Sequence, residues 1–287
     1  MELTEWRKHI DQVVADEGEW VGVANENGYP IYELACTHDF PRSHLTPESV
    51  ECTVNVQPGD RVLDDLVGEH LGSTDEEGRL TPASGPTRLL VLAREGTRQA
   101  ATITHTVATG GLSPTTLTIH AVDLLDGLAW WPCPSVPFEW KPDKWTKQTM
   151  DESGVTYKTP RDLAQVQLTT KLDGYTVDNT ALTAVRVSIQ DSFDAVNELM
   201  GWGDPHAVVE FGGEDNTPRT LIRVNDDPVL DTVQATAQMA GLSIQVELWW
   251  PGDPPIKTRK DHDGKITAET NWKHPIQVVR VNTMQEA

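Results

Sequence analysis

Residues 131–145 (WPCPSVPFEWKPDKW) restrict the fold of this chain more than any other stretch. Proline occurs four times in it, and proline cannot donate the backbone hydrogen bond that a helix interior or a central strand requires. Tryptophan, which is rarely left in solvent, occurs three times, at Trp131, Trp140 and Trp145. We therefore expect an extended, ordered segment that lies against protein, either its own chain or a neighbour's. It divides the sequence into a first domain at 1–130, a Pro/Trp-rich connecting strap at 131–146 and a second domain at 147–287.

The first half of the sequence predicts a helix followed by antiparallel strands. The helix covers residues 4–15, and Thr4 is its expected cap. Its apolar face, at helical spacing, consists of Trp6, Ile10, Val13 and Val14. Strands are predicted at residues 19–25, 29–36, 49–56, 88–94, 99–108 and 115–122, with a short helix at 61–71. This order suits a small β-sandwich or barrel.

One hairpin, which begins near Thr104, continues into an unusual apolar stretch. A strand, the Gly110-Gly111 turn and a second strand are followed by three leucines that lead to Trp130 and Trp131. No catalytic motif lies near this segment. We interpret it as the closing edge of the first domain.

The second half has a different pattern, in which helices alternate with strands. A strand is predicted at residues 182–189, followed by a helix that Asp191 or Ser192 caps and that runs through Trp202. A second helix follows Asp226 or Asp227 as its cap, with Pro228 in its first turn and Gly241 at its end. Further strands are predicted at residues 206–211, 220–224, 242–250 and 275–281. The whole chain is therefore expected to be α+β and rich in strand, with the helices packed on a sheet.

The charge of the chain limits its partners. Asp and Glu number 44 against 23 Lys and Arg, and the net charge is −21. Nucleic-acid binding needs clustered basic residues, so we expect no sequence-specific nucleic-acid partner. An acidic surface rejects DNA and anionic membranes, which would suit the lining of a tube that conducts DNA. Acidic surfaces are also common on soluble proteins for solubility alone.

The sequence predicts neither a membrane span nor a secretion signal. It contains no run of about 18 apolar residues. The N-terminus is charged and lacks the apolar region of a signal peptide. We expect a protein made in the cytoplasm and used without such a signal, with no membrane partner.

The cysteines and histidines do not form a recognisable metal or disulfide motif. Cys36, Cys52 and Cys133 include no CxxC pair, so buried thiols are expected, although Cys36 and Cys52 could face each other on neighbouring strands. A loop with His38, Asp39 and His44 has fewer ligands than a structural zinc site normally recruits. Residues 261–264 (DHDG) begin like a calcium loop but lack its later carboxylate, so a plain turn is expected. We expect no metal and no cofactor.

Enzyme motifs are also missing from the sequence. There is no GxGxxG, Walker loop, HExxH or GxSxG. Four carboxylates flank the aromatic strap, as in a glycosidase or a sugar-binding cleft, and they are Glu139, Asp143, Asp151 and Glu152. With 44 acidic residues in the chain, such clusters arise by chance. The prediction is that the protein is not an enzyme.

The tryptophans are the candidate functional residues. The chain has ten of them, and tryptophan is enriched both in cores and at protein interfaces. Six are predicted interface residues, namely Trp130, Trp131, Trp140, Trp145, Trp249 and Trp250. Core packing is the alternative for the Trp130–Trp131 and Trp249–Trp250 pairs.

Two segments resemble a known family. The first is TRQAATITHTVATGGLSPTTLTIHAVDLLDGL, which ends at Leu128, and the second is residues 226–255, DDPVLDTVQATAQMAGLSIQVELWWPGDPP. Both are similar to tail-hub or minor tail proteins of long-tailed (siphovirus-type) bacteriophages that infect actinobacteria. With the helix after Ile189, the likeness covers about two thirds of the chain. Its motifs are packing motifs.

The resemblance implies a fold, an assembly and a location. It implies two tube-like antiparallel β-sandwich or barrel domains with short packed helices, and a homotrimer in which two domains per subunit mimic a six-fold ring. Such a hub closes the distal end of the tail tube in the virion and lets DNA pass. Its partners would be the distal tail protein, the tape measure protein and tail fibre or receptor-binding proteins. Since the chain stops at Ala287, cell-wall-binding or lytic modules have no support.

Other functions remain open at this stage. The chain could be a distal tail protein, which forms a hexameric ring, and the rotational symmetry of the assembled particle would separate the two. It could instead be a binding module for cell-surface glycans. In that case binding to host wall polysaccharide should be lost on Trp140→Ala without a change in assembly. An enzyme is the last alternative.

Overall fold

The chain is α+β and rich in strand, as the sequence predicts. A computed structural model describes residues 2–68, 73–74, 76–81, 85–139, 145–164 and 175–284. The helices of these residues are α1 Leu3–Glu17, α2 Arg61–Leu66, α3 Asp126–Trp130, α4 Ala181–Met200 and α5 Val229–Met239. Their strands are β1 Glu19–Asn25, β2 Pro30–Glu33, β3 Cys36–Asp39, β4 Ser49–Asn55, β5 Ser73–Thr74, β6 Leu80–Thr81, β7 Arg88–Arg94, β8 Thr97–Gly110, β9 Pro114–Asp123, β10 Trp145–Met150, β11 Thr156–Ala164, β12 Tyr175–Thr180, β13 Ala207–Val209, β14 Arg219–Val224, β15 Leu242–Trp249, β16 Ile256–Arg259, β17 Thr267–Thr270 and β18 Ile276–Thr283.

A seven-stranded antiparallel sheet dominates the first half, in the order β2-β1-β7-β8-β9-β4-β3. Its two edge strands, β2 and β3, follow each other in the chain with only Leu34 and Ala35 between them. The sheet must therefore curl until its edges approach each other. Accordingly, the Nε2 atom of His38 on β3 lies 2.9 Å from a carboxylate oxygen of Glu19 on β1. This curled sheet agrees with the sandwich or barrel predicted for this half.

The two faces of the curled sheet are covered differently. Alternate residues of each strand point inward, and in β4 these are Val50, Cys52 and Val54. Helix α2 adds Val62 and Leu66 to this inner core. Helix α1 packs on the outer face, where Trp6 and Ile10 are buried against Trp20 of β1. The predicted first helix and its apolar face are thus confirmed.

The predicted cap of the first helix is wrong. Helix α1 begins at Leu3, one residue before the predicted start, and its N-cap is Glu2 rather than Thr4. The backbone N–H of Glu2 donates to Glu5 Oε2 at 3.1 Å, which completes a capping box. Glutamate is an uncommon N-cap, so residue preference alone pointed to threonine.

Helix α4 lies at the centre of the second half. It packs against the antiparallel β12–β14 pair, against α5, and against the sheet of order β13-β18-β15. In that sheet β13 runs parallel to β18 and β15 runs antiparallel to it. Because partners surround α4, its first thirteen residues are almost all buried.

The predicted strand at residues 182–189 is wrong, because these residues form the first half of α4. Apolar and β-branched residues are frequent in buried strands, but a helix that is buried on all sides has the same composition. The predicted caps Asp191 and Ser192 lie in the middle of this helix and are buried. Their polar side chains contact Arg259 and Cys133 respectively, so neither caps a helix.

The N-terminus of α4 is held by Asp215, which lies on a loop after β13. Its Oδ2 atom accepts hydrogen bonds from the Thr183 backbone N–H at 3.0 Å and from the Thr180 hydroxyl. Burial acts to raise the pKa of Asp215, but hydrogen bonds from Thr180, Thr183 and Thr217 outweigh it and hold the pKa at about 2. This cap is distant in sequence, which explains why no local signal marked the start of the helix.

The connecting strap lies against its own chain over residues 131–139. The Cys133 N–H donates to Asp227 O at 3.0 Å, and the Val229 N–H donates to Trp131 O at 2.9 Å. Asp226 does not cap α5 as predicted, nor does Asp227, because the N-cap is Pro228. The Asp226 carboxylate instead accepts the Ser135 N–H at 2.7 Å. The expected contact with protein is confirmed for these residues, but Pro137–Glu139 form a 3-10 helix rather than the expected extended segment. Residues 140–144 lie outside the described chain.

The two halves share packing on both sides of the strap. Leu125 and Leu128, which follow β9, lie in the core that surrounds α4 rather than in the inner core of the curled sheet. Leu248 and Trp250 from the second half pack with α1 on the outer face of the barrel. The segment after β9 therefore joins the two cores, and the domain limits at residues 130 and 146 stay a prediction.

Cys36, Cys52 and Cys133 are free thiols. Within the described part of the chain, no helix combines the length and the apolar character needed to cross a bilayer.

Candidate assembly surface

Among the described residues, one strand edge of the β8–β9 hairpin is unpaired. β7 pairs with β8 only as far as Thr102. Within the described chain, residues 103–110 of β8 pair with β9 alone. On its other side β9 pairs with β4, so only β8 presents unpaired backbone groups. Such an edge is a template for pairing with another chain unless charges, prolines or a covering segment protect it.

A β-bulge at Thr104 changes which side chains face outward. The register shifts between Ile103 and His105, and beyond it His105 and Val107 lie opposite His120 and Thr118 on the outer face. The imidazoles of His105 and His120 stack with their centres 4.5 Å apart. A bulge bends and twists its strand, so the side chains of β8 beyond Thr104 point in a changed direction.

The hairpin is uncharged although the chain is strongly acidic. Residues 99–122 contain no Asp, Glu, Lys or Arg, whereas the net charge of the chain is −21. Val107 is 46% exposed, and Leu112 at the tip is fully exposed. Hydrophobic periodicity identifies the two strands but does not register this absence of charge. We regard the outer part of the hairpin, residues 103–116, as the candidate assembly surface.

Trp130 is the one predicted interface tryptophan that the structure places on the described surface. Its residue exposure is 80%, and its indole N–H donates to Asp126 Oδ2 at 3.1 Å within the same short helix. Trp131 instead points into the core around α4, where its indole N–H donates to Ser192 O at 3.2 Å. Its ring meets Phe193 edge to face at 5.0 Å. Trp130 therefore lies at the surface, whereas its neighbour Trp131 packs against the core.

Trp249 and Trp250 are buried inside the chain, which corrects the interface prediction for this pair. Their exposures are 4% and 0%. The Trp249 indole N–H donates to Pro254 O at 2.8 Å, and that of Trp250 donates to Gly28 O at 2.9 Å. The sequence indicates that both rings need hydrogen-bond partners, but it does not show that the first half of the chain supplies the partner of Trp250. Trp140 and the side chain of Trp145 lie outside the described residues.

The weaker candidates for chemistry have structural roles. In the described chain no three His, Cys, Asp or Glu residues are grouped as metal ligands. His38 contacts Glu19. Residues 261–264 form the turn that the sequence predicts, in which the Ile266 N–H donates to Asp261 Oδ1 at 2.7 Å. Asp151 closes the β10–β11 turn, where a hydrogen bond from Ser153 lowers its pKa. The Glu139 side chain and Asp143 lie outside the described residues.

Sequence reasoning missed a buried polar cluster around Asp191 of α4. Its carboxylate contacts Arg259 at 2.6 Å, His262 at 3.0 Å and the hydroxyl of Tyr175 at 3.2 Å. Burial, together with the charge of Asp191, raises the pKa of Tyr175. The cluster joins α4 to β12 and to the β16–β17 hairpin. Its members are far apart in sequence, so no spacing rule could have found it.

Asp123, where the uncharged segment ends, carries a testable pH dependence. Burial raises the pKa of its carboxyl from 3.8 to about 6, although the backbone groups of Glu48, Leu125 and Asp126 oppose this. Its Oδ1 atom is buried without a hydrogen-bond partner among the described residues. The folded state therefore holds this proton more tightly than the unfolded chain. The contribution of this carboxyl to stability therefore falls as the pH rises from about 4 to about 6 and stays lower above that range.

We expect Asp123→Asn to stabilise the protein at pH 8 and to change little at pH 4. Solvent screening at this partly exposed carboxyl leaves a gain of about 1–2 kcal/mol. Urea unfolding at the two pH values measures it. Equal effects at both pH values would show that ionisation of Asp123 is not the cause.

Comparison with known proteins adds no relative. No model of a known protein family matches the chain. A search of curated proteins also finds no match.

Proposed function

We propose that this chain is a structural component of the tail tip of a long-tailed bacteriophage, a tail hub or minor tail protein. The observation that carries the proposal is the exposed, uncharged outer part of the β8–β9 hairpin, on the curled sheet of a chain that is strongly acidic as a whole. Copies that each carry a charge of −21 repel one another over most of their surfaces. A contact between copies is therefore most favourable where this hairpin takes part.

The two segments that resemble hub proteins support the proposal because they pack together. The first forms β8, β9 and α3, and the second forms α5, β15 and the turn after it. The Arg98 guanidinium of the first segment donates to Leu248 O at 3.0 Å and contacts Asp253 at 2.7 Å in the second. The motifs of the resemblance are thus parts of one packing unit rather than separate surface features.

In this role the chain closes the distal end of the tail tube as a homotrimer. Its neighbours are then the distal tail protein, the tape measure protein and the fibre or receptor-binding proteins, and DNA passes through without being read. The acidic surface suits that passage because it repels the phosphate backbone. The alternative is that copies of the chain use the same surface to form a hexameric distal tail ring.

The rotational symmetry of the assembled protein tests this proposal. We expect electron-microscopy class averages of the purified protein at high concentration to show three-fold particles. Six-fold particles would assign the chain to the distal tail ring instead. A protein that stays monomeric at every concentration would reject both roles.

We expect Leu112→Glu to shift the assembled protein towards the monomer, because it places a charge at the apolar tip of the assembly surface. Light scattering after size exclusion measures the change in mass. The matched control is Leu221→Glu, which adds the same charge at a leucine that is 60% exposed on β14 of the second half. If both variants assemble like the wild type, the β8–β9 hairpin is not the contact.

A further inference from the structure

A second surface lies away from the hairpin, in a cleft of about 530 Å³. It opens between the β1–β2 turn, the segment that follows α4 and the start of β18. Four of the residues that line it carry aromatic rings, namely Tyr29, Trp202, His206 and His274. A cleft of this size, with aromatic walls and a few polar groups, has the form of a small-molecule site.

Trp202 is held in place although its ring is accessible. Its residue exposure is 39%, which is high for tryptophan. Its backbone N–H donates to Asn197 O at 2.9 Å, and its ring meets His206 edge to face at 4.5 Å. The loop that carries it is tied down in turn, since His274 Nε2 donates to Pro205 O at 3.4 Å. An aromatic surface fixed in this way loses little entropy when it binds a ligand.

The described residues that line the cleft include carboxylates but no Lys or Arg. The carboxylates are those of Glu26 and Asp204. Asp204 makes no ion pair within the described chain, while Glu26 makes one long ion pair, with Arg88 at 3.9 Å. With a net charge of −21 on the whole chain, the cleft attracts cations and repels anions.

We propose that this cleft binds a small organic cation of the quaternary or methylated ammonium type. A cation over the face of tryptophan is attracted by the negative face of the ring, and this attraction grows when water is excluded. Carboxylates at the rim add a longer-range attraction that a neutral ligand would not feel. Trp202 and Tyr29 supply the ring faces, and Asp204 and Glu26 supply the charge.

Choline and dimethylbutanol provide the decisive pair of probes. In dimethylbutanol a carbon atom replaces the charged nitrogen of choline, so the two have nearly the same shape and differ in charge. We expect isothermal titration to detect choline binding and to find dimethylbutanol at least about tenfold weaker, the size of effect that a partly desolvated cation over tryptophan produces. Equal binding of the two probes would mean that the cleft is only apolar, and the proposal would be wrong. No choline binding at millimolar concentration would also overturn it.

Variants locate the binding in this cleft. We expect Trp202→Ala to weaken choline binding at least tenfold and Trp202→Phe to weaken it less, because phenylalanine keeps a ring face. Trp130→Ala is the matched control, since it removes an exposed tryptophan outside the cleft. Asp204→Asn should weaken choline binding and leave dimethylbutanol unchanged. If choline binds equally well to the Trp202→Ala variant, or if a neutral hexose binds more tightly than choline, the assignment fails.

Discussion

We expect Trp250→Ala to lower the free energy of unfolding by about 3–5 kcal/mol, the range for removing a large buried aromatic ring. Trp250 is completely buried and belongs to the cluster in which α1, the outer face of the barrel and the end of β15 meet. Removal of its ring leaves a cavity between the two halves of the chain. Both halves contribute rigid strands to this contact, so the surroundings can fill the cavity only in part.

Specific contacts add to the loss of packing. The indole N–H of Trp250 donates to Gly28 O, and the Arg98 guanidinium lies over the ring, 3.7 Å from its centre. Gly28 has a φ of +82°, and a side chain there would meet Leu248 at 2.8 Å, so the turn approaches the second half as closely as glycine allows. Trp250→Ala would leave Gly28 O without its partner.

Urea unfolding measures the effect, and Trp130→Ala is its control. Trp130 is 80% exposed, so its removal should leave the unfolding midpoint within error. Trp250→Phe should restore part of the stability, because it fills the cavity but cannot donate the hydrogen bond. A small loss for Trp250→Ala, no larger than that for Trp130→Ala, would show that the contact between the halves contributes little.

Local patterns explain which parts of the fold could be predicted. The strands at 49–55 and 114–123 alternate inward and outward residues, and the turn at Gly110-Gly111 lies between strands that pair directly. The two-residue period of a strand and the residue types of a turn depend only on neighbouring residues, so both can be predicted from the sequence. The start of α4 depends instead on Asp215 and on burial from all sides, which only the folded chain provides.

The candidate sites follow the same rule. The β8–β9 hairpin could be predicted, but its open edge could not, because it depends on where β7 ends relative to β8. The cleft around Trp202 brings together residues near 29, 202 and 274, which no spacing connects. The tryptophan pairs were ambiguous because a ring buried by its own chain and one buried by a partner have the same sequence signature.

We expect Asp253→Asn to lower the free energy of unfolding by about 2 kcal/mol, since loss of one member of a partly buried ion-pair network leaves the others uncompensated. The Asp253 carboxylate accepts hydrogen bonds from Arg7 at 3.0 Å, from Arg98 at 2.7 Å and from the Trp250 backbone N–H at 2.7 Å. Burial lowers the pKa of Arg98, and Asp253 opposes that shift. The asparagine keeps the shape of the site but removes the charge that both guanidinium groups face.

Asp178→Asn is the matched control for this variant. Asp178 pairs with Arg219 at 2.8 Å at the surface, where water screens the charges, so its loss should leave the unfolding midpoint unchanged. Equal midpoints for the two variants would mean that the partly buried network around Asp253 contributes no more than a surface pair. A double variant with Trp250→Ala sharpens the test, because Trp250 and Asp253 both contact Arg98. We expect the combined loss to be smaller than the sum of the single losses, since either change alone already disrupts the contact between the halves.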